Sequence, residues 1–269
     1  LAGVASAADP GESLGGLVKA LAAADEAVES CPEDARYHVQ RLEIYLKLIN
    51  HPQIPRALLK YMCYGGLKAG QDAASVLAGL PDEAGWFYHG YLAHVYFFFH
   101  AYPLAVDEIA LAGEDSRARV VKGALTLFCQ DAFEKTASFT IGDEFDVSLY
   151  RCTSKPPSDD RMFDELSFVV ASKSLPRIFV YTLTRQNLKG VPRYYLYFYT
   201  PCVERLVRVY GTEKPEPSAL AETVQADLLY VLSTRQLEYE KAVGALWEAS
   251  NFLQDLERSL DDFEKGLEQ

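Results

Sequence analysis

The chain has few of the features that announce an activity. No apolar run reaches the roughly 18 to 20 residues of a membrane-spanning helix. The nearest, "GWFYHGYLAHVYFFFHAY" from Gly85 to Tyr102, is interrupted by His89, His94 and His100 and reads as a buried central helix. The five cysteines, Cys31, Cys63, Cys129, Cys152 and Cys202, are odd in number and lack C-x-x-C spacing, so neither a zinc framework nor a disulfide scaffold follows. Three of them sit in apolar helical patterns, where a thiol packs as a small hydrophobe. Cys152 and Cys202 lie in a strand-rich segment and are a possible pair in an exported protein. No G-x-S-x-G, P-loop, G-x-G-x-x-G or H-E-x-x-H pattern occurs, which removes the commonest hydrolase, nucleotide-binding and metalloprotease readings.

Histidine is scarce as well. All five, His38, His51, His89, His94 and His100, fall in the helical half, and His89 and His94 are five apart, so they share no helix face. The acidic pairs Asp143/Glu144 and Asp159/Asp160 read as solvated turn residues. Catalytic residues, metal and cofactor are therefore all expected to be absent.

Positive charge is short too. The net charge of −12 disfavours nucleic acid and anionic membrane as partners, since both select a basic face. The charge is uneven. Residues 1–150 carry 11 basic and 20 acidic side chains, residues 151–214 carry 11 and 6, and residues 215–269 carry 4 and 12. A basic middle segment either complements acidic helices within the molecule or receives an anionic ligand.

What is present begins with "LAGVASAADPGES". Ala5-Ser6-Ala7 fits the small-x-small pattern before a signal-peptidase cut, and Leu1 to Val4 fits the tail of an apolar leader. The expectation is a disordered or leader remnant over residues 1–12 and export to the periplasm or medium; the alternative is an Ala-rich terminus of a cytoplasmic chain.

From Ser13 to about Cys129, apolar residues recur at helical spacing, with Leu14, Leu17, Val18, Leu21 and Val28 on one side of the first helix. Pro55 and Pro103 stand where a first-turn proline is tolerated, and Asp115 suits an N-cap. Ala20, Ala24, Ala27 and Pro32, followed by Tyr45, have the spacing of the second helix of one tetratricopeptide repeat and the first of the next. Trp86 and Gly90 fit another first helix and "YPLAVDEIALA", Tyr102 to Ala112, its partner, with about three residues too many between them. The segment 13–132 thus resembles a degenerate tetratricopeptide array, and the resemblance implies a concave surface for a protein or peptide partner. A plain helical bundle has similar small-residue packing.

From Phe133 to Tyr210 the pattern alternates. Strands are predicted near Phe145 to Arg151, Leu166 to Ala171, Arg177 to Thr184, Arg193 to Thr200 and Arg205 to Tyr210, with the polar loop "TSKPPSDDRMFDE" after the first. "TASFTIGDEFDVSLY" and "YYLYFYT", downstream of a helical region, are similar to a bacterial family of unknown function, DUF4919, a resemblance that implies no activity. "GTEKPEPS", Gly211 to Ser218, is a Pro-rich connector. Beyond it Tyr239, Ala242, Leu246, Ala249, Leu253, Leu256, Leu260, Phe263 and Leu267 alternate spacings of three and four, a heptad pattern. Leu246, Leu253, Leu256, Leu260, Phe263 and Leu267 are candidates for a homodimer seam, or for a helix lying on its own domain. The fold class is α+β: antiparallel helix pairs over 13–132, a small mainly antiparallel sheet over 133–210, and long C-terminal helices over 211–269.

"PRYYLYFYTP" holds five aromatic rings in the six positions Tyr194 to Tyr199. A four-residue turn at Asn187 to Gly190 would pair Leu183 with Tyr194, Tyr181 with Leu196 and Phe179 with Phe198 on a core face. On the other face it would pair Thr182 with Tyr195, Val180 with Tyr197 and Ile178 with Tyr199. Tyr195, Tyr197 and Tyr199 are then either covered by helices or a stacking platform, with Arg185, Lys189 and Arg193 at the hairpin mouth to hold an anionic group. Three readings follow. The first is a non-catalytic interaction or scaffold protein with a protein or peptide partner. The second is a binding module for an anionic or sugar ligand on the tyrosine-rich sheet. The third is a hydrolase with an unrecognised site.

Overall fold

The structure is a computed structural model, and it describes residues 13–77, 86–157, 159–174, 177–200 and 203–233. Among these, six helices precede a six-stranded sheet and a seventh follows it. The helices are α1 (Leu14–Ser30), α2 (Ala35–Asn50), α3 (Arg56–Leu77), α4 (Trp86–Phe98), α5 (Tyr102–Ala112) and α6 (Ser116–Leu127). The strands are β1 (Phe133–Ile141), β2 (Phe145–Cys152), β3 (Met162–Ser172), β4 (Ile178–Leu188), β5 (Val191–Thr200) and β6 (Val203–Gly211), and α7 spans Pro217–Val231. The chain is thus a mixture of helix and antiparallel sheet. The long C-terminal helices and the heptad positions from Leu246 to Leu267 lie outside the described residues. No helix among those described is long and apolar enough to cross a membrane.

Capping residues set the helix starts. Ser13 accepts from the Gly16 amide, Asp34 from Arg36, and Asp115 from Arg117 and Ala118, each relieving amides that the first turn leaves unpaired. Consecutive helices then pack on one another from α1 through α5, with α6 against α4 and α5. Two glycines permit close approach. A Cβ on Gly65 would meet the Tyr45 ring at 2.2 Å, and one on Gly90 would meet the Asp115 carboxylate at 2.1 Å.

The strands form an antiparallel meander in the order β1 to β6. Both faces of the sheet are used. On one, Val147, Phe168, Phe179, Leu183, Leu196 and Phe198 pack with Leu220, Val224 and Leu228 of α7. On the other, Tyr150, Val169, Ile178 and Val180 join the helical core of Leu21, Leu42, Met62, Leu67 and Val95. Helices and sheet therefore share one core. Each fully buried aliphatic or aromatic side chain in it contributes roughly 1.5–3 kcal/mol of transfer free energy.

The sequence places each tyrosine on the face it occupies, but not opposite the right partner. The β4–β5 turn is two residues long, Lys189 and Gly190, at φ 52° and 81°, with Leu188 opposite Val191. A two-residue hairpin turn with both φ values positive matches the strand twist better than the four-residue turn expected. Every partner moves by two, so Thr184 faces Tyr195, Thr182 faces Tyr197 and Val180 faces Tyr199. Because the side-chain period is also two, the face of each residue is unchanged. β3 begins at Met162, inside the stretch read as loop, and β1 adds a strand that was not separately predicted. Cys152 ends β2 opposite Phe133; Cys202, the other half of the expected pair, lies outside the described residues.

Candidate functional site

The helical layer covers the β2–β4 part of its face and leaves β5 and β6 open. Tyr195, Tyr197 and Tyr199 are half-buried in one row, with ring centroids 6.3 and 6.0 Å apart and interplanar angles of 43° and 34°. Across the ladder they face Val209, Leu206 and Glu204 in turn. Leu206 is 46% and Val209 56% exposed, so two apolar cross-strand pairs lie open to water.

The inner end of the row is polar and closed. Tyr199 stacks on His100 at 3.7 Å and 6°, and the same imidazole lies 4.1 Å from the Tyr102 ring. His100 Nε2 is 2.9 Å from Asp164 Oδ2, and the Thr184 hydroxyl donates to Asp164 Oδ1 at 2.6 Å. Thr182 bonds Thr184 at 3.2 Å and stands within hydrogen-bond reach of the Tyr199 phenol. Gln130, only 2% exposed, gives its amide N–H to the Asp164 carbonyl at 3.4 Å. Its Oε1 is buried with no partner. A chain of hydrogen bonds thus runs from Tyr199 through two threonines and a buried carboxylate to His100.

Two backbone irregularities make this arrangement. His100 follows α4 in the left-handed conformation, φ 59°, with its own N–H bonded to Phe97 O and the Ala101 N–H to Tyr96 O, both at 3.0 Å. That is a Schellman cap with histidine at the position glycine usually takes. On the sheet side, a bulge between Asp164 and Leu166 lets Glu165 and Leu166 both face α7, and so turns Asp164 toward the helices. Without the extra residue, alternation would point Asp164 away from His100.

Burial is the main cause that raises the phenols of Tyr102, Tyr197 and Tyr199, reinforced by the nearby charges of Asp164 and Glu204. These tyrosines therefore act as neutral aromatic faces and hydroxyl donors, not as bases. Among the described residues no group of three or more His, Cys, Asp and Glu is placed to hold a metal.

Of the predicted cationic partners, Arg185 leaves the row and Arg193 stays in line with it. Arg185 lies on the α7 face, with Nη1 3.0 Å from Glu165 Oε1, and Lys214 holds the other oxygen at 2.5 Å. Odd positions of β4 face α7 while odd positions of β5 face the helices, which separates Arg185 from Tyr195. Lys189 is exposed at the turn. Arg193, opposite Gln186, continues the tyrosine row at its outer end. The sequence reading missed His100, Asp164, Gln130 and Thr184; the one signal was a histidine at a helix stop, "FFFHAYP", three residues before a first-turn proline.

A second concavity, about 510 Å³, lies between α5 and α6, with Val106, Ile109 and Leu125 in its wall and Glu114, Arg119, Lys122 and Asp131 at its polar margin. Charges of both signs line it, and none is buried. Comparison of the chain with family models, with curated proteins and with solved structures finds no match.

Proposed function

We propose that this is a non-catalytic interaction protein that takes an extended segment of a partner protein along Tyr195, Tyr197 and Tyr199. The observation that carries the reading is the open face of β5 and β6, where Tyr195 with Val209 and Tyr197 with Leu206 present apolar pairs to solvent. Tyrosine is favoured at interfaces because it offers a large rigid contact area with a polar tip. The size of the face selects the kind of partner. Two strands of about nine residues give a strip roughly 30 Å by 10 Å, about 300 Å². That is well under the ~800 Å² per partner of a stable protein interface, and it suits a peptide segment better than a second copy of the chain. An anionic ligand is disfavoured, since Arg185 is paired with Glu165 on the opposite face and the inner end of the row carries Asp164 and Glu204.

The test is selection of a random peptide library displayed on phage against the wild-type protein and against Tyr197→Ser. Peptides enriched by the wild type should bind the variant at least tenfold more weakly while the melting temperature stays within about 2 °C, because Tyr197 is half-exposed. Enrichment that survives the substitution would place binding elsewhere. Saturable binding of an oligosaccharide in place of any peptide would assign the row to a sugar.

A further inference from the structure

We propose that Cys129 and Cys152 are an oxidisable pair, joined by exchange with a small organic disulfide into a bond that locks the end of α6 to the sheet. Both thiols are free and half-buried. Cys152 is the last residue of β2, and Cys129 stands two residues beyond α6. The backbone segments that carry them are strapped together. The Thr153 N–H donates to the Ala132 carbonyl at 2.9 Å. Ser154 Oγ accepts from the amides of Asp131 and Ala132 at 3.1 and 2.9 Å, and its hydroxyl donates to the Asp131 carboxylate at 2.7 Å. Beside these anchors the Cys152 thiol is aimed at residue 129, with Sγ 3.6 Å from the Cys129 carbonyl oxygen. A Cα lies about 2.4 Å from its own carbonyl oxygen, so that sulfur is within about 6 Å of the Cys129 Cα. A disulfide, with its sulfurs about 2.05 Å apart, then asks for rotation about the two Cα–Cβ bonds and a backbone shift of about 1–2 Å.

The surroundings of the two thiols order the chemistry. Burial, reinforced by the charges of Asp164 and Asp131, raises the Cys152 thiol above its ordinary range against the opposing Ser154 hydrogen bonds. Cys152 therefore stays protonated until a partner sulfur is presented to it. Cys129 sits in the turn after α6, beside the exposed Leu127 and Phe128, where a dissolved reagent arrives. Its thiolate attacks one sulfur of the small disulfide, and the other sulfur leaves as a thiolate. Cys152 then gives up its proton, attacks Cys129 Sγ and expels the second small thiol. Two protein thiols are oxidised, one small disulfide is reduced to two thiols that carry the two protons, and no further oxidant enters. The new bond closes the β1–β2 hairpin at its base, where Phe133 faces Cys152. It also fixes α6 one residue before Gln130, whose amide N–H bonds the Asp164 carbonyl. The joint between helices and sheet thereby follows the thiol–disulfide balance around the protein, whatever occupies the tyrosine row.

The experiment incubates the full chain, reduced and dilute, with excess oxidised glutathione, blocks the remaining thiols and digests with trypsin without reduction. Cleavage after Lys122, Lys135, Arg151 and Arg161 leaves Cys129 in the peptide 123–135 and Cys152 in the peptide 152–161. Mass spectrometry should find these two peptides joined. The oxidised protein should melt roughly 5–10 °C higher than the reduced one, the shift for a bond closing a loop of about two dozen residues in a chain of this size. Dithiothreitol should reverse both changes. Cys152→Ser should retain glutathione on Cys129 and show no rise in melting temperature. Three results would overturn the proposal: glutathione adducts on both wild-type peptides without a cross-link, the peptide 152–161 joined instead to 194–205, which carries Cys202, or the expected cross-link with an unchanged melting temperature.

Discussion

Replacing His100 by glycine and by alanine separates what this residue costs its helix from what it contributes to the seam. In the left-handed region a side chain costs about 1 kcal/mol relative to glycine, and His100 sits there at φ 59° as the cap of α4. Against that cost stand two contacts. The hydrogen bond to Asp164 is made to a carboxylate that is only 8% exposed, and loss of a partner from a buried charged acceptor costs roughly 1–3 kcal/mol. The stack on Tyr199 at 3.7 Å is of the kind that adds about 0.5–1.5 kcal/mol.

Both variants lose the two contacts, and only glycine regains the cap. His100→Ala should therefore be destabilised by roughly 2–4 kcal/mol and His100→Gly by about 1 kcal/mol less. Urea unfolding followed by tryptophan fluorescence measures both, since the difference in midpoint at a common slope gives the difference in stability. Equal stability of the two variants would show that the backbone at 100 is unstrained. If both match the wild type, the His100 to Asp164 contact does not hold the helices to the sheet.

How far the sequence reveals this architecture depends on which physical period each element obeys. The helix pairs and the sheet were legible because burial of one face imposes a period of 3.6 or 2 on apolar residues. The tyrosine faces were legible for the same reason. Register was not, because it rests on the local choice between a two-residue and a four-residue turn, and Lys189 takes a positive φ that is more usual for asparagine or glycine. The seam was hidden more deeply. His100 and Asp164 are 64 residues apart, and two irregularities bring them together, a histidine in a glycine position and a one-residue bulge. Neither leaves a periodic trace. An argument that no histidine lies in the strand segment is correct along the chain and wrong in space, since the fold carries the end of α4 to the face of β5.

Two further substitutions test the packing and the electrostatics. A methyl on Gly65 would overlap the Tyr45 ring, which is 4% exposed and has nowhere to retreat. Gly65→Ala should cost about 1–3 kcal/mol, while Gly66→Ala, whose Cβ would make ordinary 3.5 Å contacts, should be neutral or gain up to about 1 kcal/mol from helix propensity; thermal melts that rank them the other way would refute the close approach of α2 and α3. His94 supplies the electrostatic case. It is 4% exposed on α4, its ring is parallel to Phe98 at 5.4 Å and its Nε2 has no partner. Burial, with the Arg117 charge adding to it, brings its pKa down to about 4. In the unfolded chain an imidazole titrates near 6.5, so between these values the unfolded state binds the proton and the folded state does not. Stability from this group is complete above about pH 6.5 and falls as pH drops toward 4, by roughly 1.4 kcal/mol per unit and about 3 kcal/mol in all. His94→Phe keeps a ring in place and removes the proton site. The gap in unfolding free energy between wild type and variant, measured from pH 7 to pH 4, should therefore widen against the wild type by about that amount. Carboxylates shared by both proteins cancel in the difference, so two parallel stability curves would mean that His94 is charged in the folded state and that the core around α4 admits water.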